Sequence, residues 1–222
     1  MPSRLRPTAP IAADAVLVGD PGRALLLAQE LLEEPKMSNH ARGLWAYFGS
    51  TPAGVELTIQ ATGMGGPSAA LVLGDLVELG VKRAIRVGTC VGIKAGLGDL
   101  LVVEEAIARG GSAASLGVEP GTAVAPDRAL TEKLQFELGD EARPVSVASV
   151  DAHPAEHTAE PEVTAIDMQT APLLLRAAAL QIELAAVLIV SEMKRDSASL
   201  EKEVLEERER RAGRAASAAL SG

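Results

Sequence analysis

Ala84 to Gly92 reads AIRVGTCVG, an apolar strand that runs straight into a turn of small residues. Arg86 is the anomaly in it. A guanidinium near the end of a buried strand costs too much without an anionic partner, so Arg86 is either paired inside the protein or held ready for a ligand. Gly88, Thr89 and Cys90 leave backbone N–H groups and one hydroxyl free to approach an anion, as phosphate-cradling turns do. The stretch therefore predicts a strand over Val81–Val87 and a loop over Gly88–Gly98.

Working toward the N-terminus, TGMGGPSAALVLGDLVELG at 62–80 joins a strand to a helix beginning near Pro67, with Gly80 as its stop. A dinucleotide-binding fingerprint needs a third glycine where Ser68 stands, so that fold is set aside. Val55–Ala61 and Gly43–Gly49 read as strands, and Pro35–Arg42 as polar and irregular. Asp14–Val18 is a short buried strand, and GDPGRA at 19–24 is a turn that opens a helix reaching about Glu33. A glycine, an acidic cap and a proline at that helix start leave N–H groups at the positive end of the dipole, with Arg23 in the first turn.

Toward the C-terminus, Asp99–Ala106 reads as a strand, Asp127–Leu138 as a surface helix and Pro144–Ala148 as a strand. Ser149–Glu162 reads as a loop that lies over a site. Thr164–Met168 is a short strand, Gln169–Leu180 a helix and Leu184–Val190 a very hydrophobic strand. From Ser199 on, apolar positions 200, 204, 205, 212, 215, 216, 219 and 220 mark an amphipathic helix whose Glu and Arg residues read as a solvated face. Strands alternating with helices predict one three-layer α/β domain over residues 1–222, with ligands at the carboxyl ends of the strands.

Composition narrows the function. A 222-residue chain that is 47% hydrophobic supports one sizeable core. The net charge of −9 excludes a general nucleic-acid surface, so an anionic ligand must be held locally. With two Phe, one Trp and one Tyr, aromatic stacking on a base is scarce. A single cysteine, Cys90, allows no internal disulfide and fits a reducing compartment. MPSRLRPTAPIAAD lacks the apolar core of a signal peptide, and the apolar run 171–190 is broken by Arg176, Gln181 and Glu183. A cytoplasmic protein with no membrane partner is expected.

GDPGRA, NHARGLWAYFGS at 39–50, TGMGGPS, IRVGTC at 85–90, DMQTA at 167–171 and VSE at 190–192 occur together and in order. With them the chain resembles the nucleoside phosphorylases that act on purine nucleosides, uridine and related substrates. The resemblance implies an α/β/α domain with a central mixed β-sheet and a homo-oligomer, from dimer to hexamer. It also implies phosphate-dependent cleavage of an N-glycosidic bond, giving free base and (deoxy)ribose 1-phosphate. Gly19 and Arg23 match the phosphate turn, Arg86 and Thr89 the second phosphate-binding strand end, and Arg42 the arginine that reaches phosphate in an adjacent subunit. On this reading Arg86 is paired with substrate. Three guanidiniums around one dianion bind it and orient it as nucleophile. Met64 and Met168 match methionines at the ribose, Glu192 a carboxylate that assists the departing base, and Arg208 an arginine that helps it. No metal and no organic cofactor are implied; inorganic phosphate is the co-substrate.

The departures fall on the nucleoside half. Gln169 follows Met168 where the family has a glutamate that accepts the ribose hydroxyls; the amide accepts more weakly, so Gln169→Glu is expected to raise activity on ribonucleosides. Glu192 stands where aspartate is usual, Val91 crowds the base, and Arg4 occupies the place of an interface histidine. Asp151-Ala152-His153-Pro154 replaces a loop with a base-stacking aromatic, leaving His153 as the candidate. Two alternatives stay open: a catalytically weakened or inactive member that binds phosphate or nucleoside, and a hydrolytic nucleosidase.

Overall fold

The computed structural model describes residues 4–156 and 162–222. Its strands are β1 (Asp14–Val18), β2 (Glu33–Asn39), β3 (Ala46–Ser50), β4 (Glu56–Ala61), β5 (Arg83–Gly92), β6 (Leu100–Ala108), β7 (Ala123–Val124), β8 (Ala142–Ser149), β9 (Ala165–Asp167) and β10 (Glu183–Met193). Its α-helices are α1 (Pro21–Leu31), α2 (Gly65–Glu78), α3 (Gly111–Ser115), α4 (Arg128–Leu138), α5 (Thr170–Leu180) and α6 (Lys202–Ser221).

β1, β5 and β10 are continuous apolar runs because they pair in parallel at the centre of the sheet, where helices cover both faces. β4 extends the sheet beyond β1 in parallel, and β3 and β2 follow as antiparallel strands. On the other side, β10 pairs with β6 antiparallel, β6 with β8 and β8 with β9 in parallel, and β9 returns antiparallel to Val91–Gly92 of β5. β5, β10, β6, β8 and β9 thus close into a ring, from which β1, β4, β3 and β2 continue as an open sheet. The sheet is mixed and the layering is α/β/α. Leu27, Leu134 and Ala216 of α1, α4 and α6 pack with Val16 and Val187 on one face; Leu73 of α2 and Leu173 of α5 pack with Leu17 and Leu188 on the other.

Two segments differ from the sequence reading. The 35–42 segment, read as irregular, forms most of β2. It is an edge strand with five of its seven residues exposed, so it carries no apolar alternation to betray it. The small residues after Val87 do not leave the sheet: β5 runs to Gly92, because β10 accompanies it residue by residue as far as Cys90. The expected loop from Ser149 is partly β8 and partly described to Glu156; 157–161 lies outside the described residues. Arg4 is held by its own chain, its guanidinium 2.9 Å from Asp75. Burial opposes charge on Asp75, but the N–H groups of Leu5 and Arg4 and the Arg4 guanidinium hold its carboxyl below the ordinary value.

Candidate active site

A cavity of about 460 Å³ lies where β1, β4, β5, β8, β9 and β10 end, the place where an open α/β sheet presents its loops to a ligand. Gly19 and Arg23 reach it from the β1–α1 turn, and Arg86 and Thr89 from β5. Met64 comes from the turn after β4, Val91 from β5, His153 from beyond β8, Met168 and Gln169 from beyond β9, and Glu192 from β10. The structure therefore brings together both halves of the expected site, with two exceptions.

Arg42 and Arg208 do not line this cavity. Arg42 stands exposed in a single 3-10 turn (Ala41–Gly43) at φ 60°, a conformation costly for a long side chain. Arg208 precedes Glu209 by one residue on α6, so it is turned about 100° away from it. Its Nε sits 3.7 Å from the position a β-carbon would take on Gly98, outside the pocket.

The turn glycines earn their positions sterically. Gly63 and Gly65 have φ of 72° and 77°, which brings the backbone after β4 around the cavity wall before α2 begins. At position 88 a β-carbon would lie 2.5 Å from Nη2 of Arg86, whose guanidinium folds back along β5 over that glycine.

Arg86 is 3% exposed and is not left to a ligand. It donates through Nη2 to Asp167 (3.0 Å), through Nη1 to Oε1 of Gln169 (2.6 Å) and through Nε to Oγ1 of Thr170 (3.2 Å). The expectation that substrate supplies its counter-charge is corrected: an internal carboxylate does so, because a guanidinium this deep cannot stay uncompensated when the site is empty. Burial pulls the Arg86 guanidinium below its ordinary value, and Asp167 opposes that.

Asp167 is the hub. It also accepts from Oγ of Ser149 (2.5 Å), the N–H groups of Gln169 (3.1 Å) and Thr170 (3.0 Å), and Oγ1 of Thr170 (2.6 Å). It thereby caps α5 and fixes the end of β8 together. In DMQTA the aspartate stands just before a helical run, a capping signal that marks this role in the sequence.

Gln169 is likewise committed to the protein. Its amide N donates to the carbonyls of Gly63 (2.6 Å) and Gly65 (3.2 Å), while its oxygen takes Arg86. Both amide protons are engaged, and the side chain braces the turn after β4 rather than presenting itself to a sugar. This changes what Gln169→Glu does. A carboxylate oxygen in place of the NH₂ faces two backbone carbonyls, and each loses its donor at about 1–3 kcal/mol. We expect Gln169→Glu to lower the thermal midpoint by several degrees; an equal or higher midpoint by calorimetry would show that Arg86 compensates for the lost bracing.

Glu192 owes its place to an irregularity. β10 pairs in register with β5 up to Val190↔Cys90, but Glu192, not Ser191, pairs with Val91. The extra residue re-aims the chain, so that Ser191 and Glu192 both line the cavity. Strict alternation would have sent Glu192 the way of Val190, into the core. Nε2 of His153 lies 3.9 Å from Oε2 of Glu192, both partly exposed at the mouth. Met64 stands at the rim, 87% exposed. Cys90 also lines the cavity, but burial first and Asp167 second push its thiol far above the ordinary range, so it stays protonated and is no nucleophile.

Arg23 too has a partner within the protein. Its Nε donates to Oε1 of Glu209 on α6 at 2.5 Å. Burial raises the Glu209 carboxyl above its ordinary value, Arg23 opposes that, and Asp20 and Glu206 add to the rise. The signal was present in the sequence. Position 209 continues the stripe of 205, 212 and 216 at helical spacing, so a carboxylate there is buried and must find a cation.

Among the described residues no group of His, Cys, Asp and Glu could hold a metal ion, and no helix is long and apolar enough to cross a membrane.

The family model of the phosphorylase superfamily matches residues 14–221. A DeoD-type purine nucleoside phosphorylase of Oceanobacillus iheyensis is 46% identical over 81 residues, which span 36% of this chain and about a third (34%) of that relative's length. The DeoD-type enzyme of Limosilactobacillus reuteri is 34% identical over 214 residues, covering 89% of this chain and 88% of that protein. A crystal structure of purine nucleoside phosphorylase from Toxoplasma gondii, in complex with immucillin-H, superposes with a TM-score of 0.82 over 95% of this chain and 92% of that one. At 21% identity it attests the shared fold. A match through nearly every element that builds the cavity, with a relative aligned along most of its length, makes the chain a member of the phosphorylase superfamily, among the nucleoside phosphorylases.

Proposed function

We propose that this chain is a nucleoside phosphorylase, a pentosyltransferase that cleaves the N-glycosidic bond of a nucleoside with phosphate. The observation that carries this reading is the convergence of Arg23, Arg86, Thr89 and Glu192 on one cavity at the strand ends. The names of the relatives favour a purine nucleoside over uridine. Phosphate sits against Gly19, Arg23, Arg86 and Thr89, one oxygen directed at the anomeric carbon. As the bond from that carbon to the base breaks, its electron pair goes to the base nitrogen, and an oxygen lone pair of phosphate forms the new bond. Glu192 lies where it can hydrogen-bond or protonate the departing base. Positioning and electrostatics supply most of the acceleration, and no metal or organic cofactor enters.

Residues 1–222 act as one domain in a homo-oligomer. The strained, exposed Arg42 is assigned to the phosphate of a neighbouring copy, the kind of role for which costly backbone is retained. A reducing, cytoplasmic setting suits its single cysteine.

One observation favours a second reading, hydrolysis: Asp167 and Glu209 already offset the charge of Arg86 and Arg23, which lowers the attraction for a dianion. Incubation with inosine, adenosine, guanosine and uridine, with and without phosphate, decides between them. Free base and sugar 1-phosphate formed only with phosphate is the expected result. Base and free sugar without phosphate would make it a nucleosidase, and no product from any substrate would leave a binding protein.

A further inference from the structure

We infer that Glu209 is a positioning residue for the anion site: it holds Arg23 by its Nε hydrogen and so keeps the rest of that guanidinium available to phosphate. The inference rests on the phosphate reading above. Arg23 lies in the first turn of α1, after the Asp20 cap, and Glu209 in the middle of α6; their side chains are 10% and 7% exposed. The single contact, Nε to Oε1, leaves both Nη groups without a protein acceptor among the described residues. These are the groups that form the fork for an oxyanion.

The surroundings explain why a clamp is needed. Arg23 also borders a second depression of about 450 Å³, whose lining includes Lys202, Glu206 and Glu209 itself, while Asp20 lines both cavities. Freed from Glu209, the guanidinium has room to turn toward Glu206 and away from the active-site cavity. α1 and α6 are fixed closely enough for the clamp to be rigid: a β-carbon on Gly213 would lie 2.6 Å from Cδ2 of Leu27. A ligand-binding side chain held by a second, buried group is the arrangement that sets orientation at such sites.

Titration calorimetry with inorganic phosphate on the intact protein, on Glu209→Ala and on Glu209→Gln tests this, together with the Michaelis constants for phosphate and nucleoside. Gln keeps the oxygen that accepts from Nε; Ala removes it. The expected result is a loss of about tenfold in phosphate affinity and a matching rise in its Michaelis constant for Glu209→Ala. The nucleoside constant stays unchanged, and Glu209→Gln, which keeps the acceptor for Nε and sheds the opposing charge, binds phosphate at least as tightly as the parent protein. Unchanged phosphate affinity in Glu209→Ala would overturn the inference while leaving the phosphate site intact. Tighter binding in Glu209→Ala would overturn it too, since Glu209 would then be a competitor for Arg23. Equal changes in both Michaelis constants would reduce Glu209 to a structural group. A parent protein and variants that all fail to bind phosphate would overturn the inference and the phosphorylase reading together.

Discussion

Asp167→Ala lowers the unfolding free energy by about 3–5 kcal/mol, the cost of removing one partner from a buried ion pair. For a chain of this size the thermal midpoint falls by roughly 10 °C. The effect is large because one carboxylate serves several donors, from Arg86, Ser149, Gln169 and Thr170. Alanine leaves the Arg86 guanidinium charged, buried and without its anion, and it uncaps α5. Asp167→Asn keeps the volume but turns an NH₂ toward groups that are themselves donors, so it recovers little. Calorimetric scans of both variants measure this. A midpoint within a degree or two of the parent for Asp167→Ala would mean that water or Gln169 compensates Arg86, and the carboxylate would lose its place as the hub.

Glu192→Gln leaves the fold alone and strikes the reaction. The side chain is partly exposed at the mouth, where its Oε2 lies 3.9 Å from Nε2 of His153, so little stability depends on it. If its carboxyl carries the proton to the base, the amide cannot, and kcat falls by about 10²–10⁴. The Michaelis constant for the nucleoside moves little, because the shape of the side chain is kept and the lost interaction belongs to the transition state. Steady-state rates with saturating phosphate give the comparison. A kcat within threefold of the parent would place the assistance to the leaving base elsewhere, with His153 the next group to replace.

The contrast between these two residues shows what could be read from the chain. Gly19, Arg23, Arg86 and Thr89 sit in short motifs whose chemistry is local, and the sequence placed them in one cavity. The groups that hold them are far away along the chain. Asp167 meets Arg86 across 81 residues and Glu209 meets Arg23 across 186, distances at which periodicity says that a buried charge needs a partner but not which one. The bulge at Ser191 is a property of pairing between β10 and β5, invisible in VSE alone, yet it decides that Glu192 faces the cavity. β2 escaped notice for the opposite reason, since an exposed edge strand has no hydrophobic pattern. Arg208 lies in the right motif neighbourhood, but its guanidinium sits beside Gly98 and does not line the cavity.

The ring of strands also bears on how the chain comes off the ribosome. β10, the last strand in sequence, is not at an edge; it is inserted between β5 and β6. Until residues beyond Glu183 have emerged, each of those strands has one unpaired edge, since β5 keeps β1 and β6 keeps β8 on the other side, and α6 is not there to cover the sheet. A nascent chain stopped short of β10 is therefore an open, adhesive sheet rather than a smaller version of the domain. Closure of the sheet waits on β10 and α6, which bring Glu192 and then Glu209, so the barrier to misassociation and these groups of the site arrive in the same step.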